Sequence, residues 1–269
     1  MIILSKSIYL ACMAGAALIV ALGVDSMKRY DSRVSGSAGG TSGMALLAVT
    51  LKLLVEPTQL LLVIINVFIG LQQAFFGADF TAAFVSCAVG TGSVGFVMMA
   101  YGLSDAIGCV LTGYLAKLTG RIPLICGATI VHAALFITVL TWRPHVGDDY
   151  VLYIIAVLWG LCDSVWIVQI NAYYGILFPG REEAAFSNFR LWESVGYIIA
   201  YVVSPYLRTS AKTYLIFGMM IVGVVCYFIV EYQQYKIKRK LQNKKKDLCY
   251  ISNSGNIKGC DNIAFQTVE

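Results

Sequence analysis

Seven stretches of this chain are apolar for long enough to cross a lipid bilayer, and no other feature of the sequence restricts its fold as sharply. A helix rises about 1.5 Å per residue, so a hydrocarbon core of ~30 Å needs about 20 apolar residues. The stretches run Ile8–Val24, Gln59–Phe76, Val94–Leu115, Ile122–Thr141, Tyr150–Leu177, Leu191–Leu207 and Tyr214–Val230. A further piece, Phe80–Val89, is apolar but too short, and reads as a re-entrant or interfacial segment. Only 13% of the residues are charged, against about 25% in soluble domains. So little charge cannot cover a surface that faces water. The expected fold class is an all-α integral membrane protein, a bundle of about seven transmembrane helices.

Lysine and arginine placement orients such a bundle. With the C-terminal tail in the cytoplasm, sixteen of the 20 basic residues fall on the inside, eight of them in the tail between Lys236 and Lys258. Lys6, Arg143, Arg208 and Lys212 fall outside. The net charge of +5 is concentrated in Lys236–Lys246, directly after an apolar run. That is the flank of a span, not a nucleic-acid surface, and no nucleic-acid partner is expected. Met1–Met27 has the outline of a signal peptide, but the downstream topology places Asp25–Thr58 inside, where a cleaved leader would not deliver it. Ile8–Val24 is therefore expected to be a true span. The run SRVSGSAGGTSG reads as a glycine–serine linker. Met44–Glu56 then has the period of a short amphipathic helix, with Met44, Leu47, Thr50 or Leu51, and Leu54 on one face. The expected organisation is a span in 1–27, a cytoplasmic linker in 28–57, six helices in 58–232 and a basic, disordered tail in 233–269. The membrane is the plasma membrane or an endomembrane.

No enzyme is indicated. The chain has no GxSxG, HExxH or P-loop, and GTGSVG (Gly90–Gly95) opens a membrane helix, not a phosphate loop. The eight cysteines include no CxxC pair, and neither His132 nor His145 lies near one, so no zinc site and no cofactor is expected. Cys12, Cys109, Cys126, Cys162 and Cys226 read as small core residues; Cys249 and Cys260 read as free tail thiols or acylation sites.

The informative residues are the polar ones in the apolar runs. An aspartate in mid-bilayer costs about 2.5–3.5 kcal/mol on insertion scales, so Asp163 must face protein or a water-filled cavity. At 3.6 residues per turn Asp163 and Asn171 are about 80° apart, and Gln169 is nearly opposite Asn171. One stripe cannot hold all three, so this helix should be buried on more than one side. Asp163 and Asn171 either line a cavity or make interhelical hydrogen bonds. Arg190 and Glu193, three apart, can form an ion pair with a structural or a gating role. Asp105 sits in mid-span between Gly102 and Gly108; close helix packing accounts for the glycines, and the carboxylate still needs a partner. Asn66, Gln72 and Gln73 read as helix-joining amides.

The loop GYLAKLTGR, Gly113–Arg121, is tight and basic. Gly113 suits a close helix approach, Gly120 a turn, and Lys117 with Arg121 can reach helix C-termini or anionic lipid. It resembles the second copy of the inter-helix loop motif of the major facilitator superfamily, with Gly113, Lys117, Gly120 and Arg121 at matching places and Asp105 as a candidate acidic partner. QAFFGADFTAAFVSCAVG (Gln73–Gly90), YGLSDAIGCVLTGYLAKLTGR (Tyr101–Arg121), LWGLCDSVWIVQINAYYGILF (Leu158–Phe178) and FRLWESVGYIIAY (Phe189–Tyr201) together resemble the Unc-93-like family, over about Pro57 to Tyr232. The resemblance implies a twelve-span facilitator fold in two six-helix halves. This chain would hold the last span of the first half, the linker and the second half, with five N-terminal spans expected upstream.

The resemblance further implies a regulatory or accessory membrane subunit. Its partner would be a two-pore potassium channel, as in some members, or a nucleic-acid-sensing receptor whose trafficking it assists, as in others. The competing expectation is a secondary transporter of a small solute or ion that uses Asp163, Asp105 or Glu193 as carriers. The lipid bilayer is a partner in either case. A peptide spanning Lys236–Lys246 should co-sediment with anionic vesicles at up to about 1 kcal/mol per basic residue; binding that fails to weaken with added salt would contradict this.

Overall fold

In the computed structural model, residues 14, 15, 18, 50, 52–143 and 149–254 are described, with side chains up to 244. The chain divides into two units, Met1–Ala48 and Val49–Glu269. In the first, Ala14, Gly15 and Leu18 are helical and exposed. The rest of the Ile8–Val24 span and the glycine–serine linker lie outside the described residues. So do most of the amphipathic segment from Met44, His145 and the tail beyond Ser254.

Among its described residues the second unit consists of helices joined by short turns. Helix α1 runs Pro57–Ala88, α2 Val94–Thr119, α3 Arg121–Thr141, α4 Asp149–Leu177, α5 Glu182–Val203 and α6 Thr209–Ser254. Five of these, all but α5, are long and apolar enough to cross a membrane. Helix α5 overlaps the Leu191–Leu207 stretch only as far as Val203 and begins earlier, where Glu182, Glu183, Arg190 and Glu193 make it the most amphipathic of the set.

Helix α1 corrects one expectation. Phe80–Val89 is no separate re-entrant piece; it continues α1 without a break. The continuation is possible because Phe75–Val85 winds as a π-helix, in which backbone groups bond five residues back, as the Ser86 N–H does to the Thr81 carbonyl. The Thr81 hydroxyl donates to the Gly77 carbonyl at 2.8 Å. Phe76, Phe80 and Phe84 stack in series along the widened turn, with centroids 4.9 and 5.2 Å apart. Helix α6 also differs from expectation. It does not stop with its apolar run but continues to Ser254, through basic residues expected to be disordered. Lys, Arg, Gln and Leu, which dominate that segment, are all good helix formers.

Helix α1 is central: 67% of its apolar window is buried, against 17% for α2. Small residues bring the backbones together, as membrane helices require. A Cβ on Gly70 would fall on the carbonyl oxygen of Glu193, and one on Gly196 on the carbonyl oxygen of Val67, so α1 and α5 cross glycine to glycine. Likewise a Cβ on Gly108 would meet the Ser164 hydroxyl, and one on Gly160 the Ser104 hydroxyl, where α2 crosses α4. The close approach expected at Gly102 and Gly113 does not occur, since nothing lies within 4 Å of a Cβ at either; the one expected at Gly108 does. Gly120 does make the turn, at φ +84°. A core of Phe68, Phe136, Trp159 and Trp166, all unexposed, fills the space between α1, α3 and α4.

Gly70→Ala and Gly196→Ala should each lower stability by ~1–3 kcal/mol in a detergent-micelle unfolding titration, because the atoms they meet are backbone. Gly102→Ala, whose Cβ would meet nothing within 4 Å, should stay within about 0.5 kcal/mol of the parent.

Candidate functional site

The polar residues of the bundle gather where the glycine crossings allow it. Asp163, on α4, is 1% exposed. Gln72 and Gln73 reach it from α1 and Tyr101 from α2. Gln72 Nε2 donates to Oδ1 at 2.5 Å, and Gln73 Nε2 donates to Oδ1 at 3.0 Å and Oδ2 at 2.9 Å. The Tyr101 hydroxyl donates to Oδ2 at 2.5 Å. Both amides are themselves oriented: Trp159 Nε1 donates to Gln72 Oε1 at 2.6 Å, and the Tyr197 hydroxyl, from α5, donates to Gln73 Oε1. Every hydrogen bond on the carboxylate comes from a neutral donor, an arrangement complementary to its charged form. Four helices are tied to one side chain.

A second knot lies in the π segment. Asp79 is paired with Lys212 of α6, both nearly unexposed. Lys212 Nζ also donates to the Ser204 carbonyl at 3.0 Å, and the Ser204 hydroxyl donates to Asp79 at 2.8 Å. Lys212, counted from sequence among the flanking charges, points into the bundle. The pairing answers how Asp79 can sit in an apolar run.

The other candidates are placed apart. Asn171 does not join Asp163; its Nδ2 donates to the Ile167 carbonyl of its own helix at 2.7 Å. Asp105 is half-buried on α2, one turn beyond Tyr101, and accepts a long contact from Cys109 Sγ at 3.8 Å. Arg190 Nη1 bonds Glu193 Oε2 at 2.7 Å; Arg190 is mostly exposed while Glu193 is buried, one turn before Tyr197. In the loop motif, Lys117 is exposed in the last turn of α2, where its charge suits the helix dipole. Arg121 turns away from helix ends to pair with Glu231 at 3.2 Å. Among the described residues no group of three or more metal-ligating side chains occurs.

Tyr101, Trp159 and Tyr197 were missed because sequence alone makes buried aromatics look like packing. Asp79 and Lys212 were missed as a pair although opposite charges at corresponding ends of two spans were the signal that could have joined them. The sequence marks Gln72 and Gln73 as helix-joining amides but does not show which acid they join.

The family model described as ion channel regulatory protein UNC-93 matches residues 6–228. This chain belongs to the UNC-93 family. It is 36% identical to protein unc-93 homolog A of Danio rerio over 256 residues, which is 88% of this chain and 55% of that one. To unc-93 homolog A of Homo sapiens it is 34% identical over 80% of this chain and 47% of the relative. A Caenorhabditis elegans protein named as a potassium channel regulatory protein, unc-93, is 31% identical over 86% of this chain and 32% of its own length. The chain thus spans about half the length of the unc-93 homolog A relatives it matches. Family and helices together make it a multi-pass membrane protein.

Tyr101→Phe should destabilise the UNC-93 bundle by about 1.5–3 kcal/mol, the range for a hydrogen bond to a charged group. Asn171→Ala should cost less than about 1 kcal/mol in the same micelle melt. Lys212→Met should cost about 3–5 kcal/mol by leaving Asp79 buried and alone, and adding Asp79→Leu should recover most of it. A double variant no more stable than Lys212→Met would show that the pair is not coupled.

Proposed function

We propose that this chain acts as a regulatory membrane subunit of the UNC-93 type, associating with a potassium channel and altering its current. The observation that carries the reading is the engagement of Asp163. Its carboxylate holds hydrogen bonds from Gln72, Gln73 and Tyr101 at 1% exposure, so it serves to fix helices and is poorly disposed to load and release an ion. The Asp79–Lys212 pair is likewise neutralised internally. A bundle locked in this way suits a body that presents a fixed surface to a partner. The name of the Caenorhabditis elegans relative supports the choice of a potassium channel over a trafficked receptor. In this reading the basic end of α6 lies in the cytoplasm, where 16 of 20 basic residues collect.

One feature favours a second reading, transport by a facilitator-type mechanism. Asp105 is half-buried in an apolar span, and Cys109 is its contact. A carboxylate so placed is available to a solute at the α2 surface.

Co-expression with a two-pore potassium channel should change whole-cell current at least two-fold, and the two chains should co-purify in mild detergent. Unchanged current with no co-purification would refute the regulatory reading. Solute uptake abolished by Asp105→Asn would establish the second.

A further inference from the structure

Where α3 begins, α4 ends and α6 leaves the bundle, a cavity of about 130 Å³ opens among Arg121, Tyr173, Leu177, Glu231, Gln234 and Lys238. That is several times the ~30 Å³ that a water molecule occupies in the liquid. Its polar groups are incompletely used. Arg121 Nη2 bonds Glu231 Oε1 at 3.2 Å, and the guanidinium stacks 4.5 Å above the Tyr173 ring. The remaining atoms of that pair, Arg121 Nη1 and Glu231 Oε2, are buried without a hydrogen-bond partner. The hydroxyl of Tyr173, a residue 1% exposed, faces the Glu231 carboxylate without forming a well-aligned hydrogen bond to it. The Tyr227 ring, 5.1 Å from the Tyr173 ring, stands behind it, outside the cavity lining. Buried polar groups are rarely left this way, and here a charged donor, a charged acceptor and a hydroxyl line one cavity.

The donor set selects the ligand. Arg121 Nη1, the Tyr173 hydroxyl and Lys238 suit phosphate oxygens, for which arginine offers a planar fork. Glu231 disfavours a bare dianion but accepts from a hydroxyl or ammonium. We propose that this cavity binds a phosphodiester whose alcohol part carries such a donor, with the phosphate on Arg121 and Tyr173 and the donor on Glu231 Oε2. Such a group arrives either as the headgroup of a phospholipid or as a soluble ester. Ile176 and Leu177 on the wall suit the start of an acyl chain.

The test uses the full chain in a nonionic detergent and follows thermal unfolding against three compounds. These are dihexanoyl phosphatidylglycerol, the soluble diester glycerophosphoglycerol, and dihexanoyl phosphatidylcholine, whose choline offers no hydrogen-bond donor. Saturable stabilisation by one or both phosphoglycerol compounds, with phosphatidylcholine at least five-fold weaker, supports the site. Response to the lipid alone identifies a headgroup; response to both identifies the ester itself. Tyr173→Phe, which removes only the hydroxyl, should raise the apparent Kd at least five-fold. Lys238→Gln, at the rim, does the same if Tyr173→Phe fails to fold. Absence of a saturable shift overturns the proposal, as does equal binding by phosphatidylcholine or unchanged Kd in the variants that fold.

Discussion

A carboxylate inside hydrocarbon has no water to turn to, so the protein must supply every hydrogen bond it needs. Asp163 meets that demand with donors from α1 and α2, and the amides it uses are held by Trp159 of α4 and Tyr197 of α5. The consequence reaches past one residue. Sliding any of the four helices by a turn would leave a polar group stranded in the apolar interior. Leucine packing alone would tolerate several registers; a polar knot of this kind accepts one.

The knot depends in turn on backbone proximity. Gly160 lets α4 approach α2 near the Tyr101 carbonyl, and the Tyr101 hydroxyl reaches the carboxylate three residues along α4. Gly70 and Gly196 do the same for α1 and α5, whose crossing lies one turn from Gln73 and directly beside Tyr197. Small residues and polar residues are therefore parts of one device. The glycines set the distance, and the amides and hydroxyls use it.

Much of this was legible beforehand. Span-length apolar runs announce the helices, and the cost of a bilayer charge singles out Asp163 as a residue that must be partnered. The phrase around it, with the loop Gly113–Arg121, carries the UNC-93 resemblance that the family match bears out. What could not be read is of another kind. Which amide meets which acid depends on helix rotation, and rotation depends on pairs of small residues far apart in sequence. Gly113 looked as suited to a close crossing as Gly108, and only packing separates them. The π-winding of Phe75–Val85 leaves no mark in the sequence: Phe80–Val89 is too short to cross a bilayer by itself, and the Asp79–Lys212 pair that joins this segment to α6 is a long-range contact.

Helix α6 has a mechanical corollary. Its 46 residues measure about 69 Å, more than twice a hydrocarbon core. The part beyond Glu231 extends some 35 Å as a charged rod anchored at its base by Arg121. Such a rod acts as a lever: a tilt of about 10° at its fulcrum would swing the far tip by roughly 6 Å. Small rearrangements at the membrane surface would thus be magnified into displacements that a neighbouring molecule can sense.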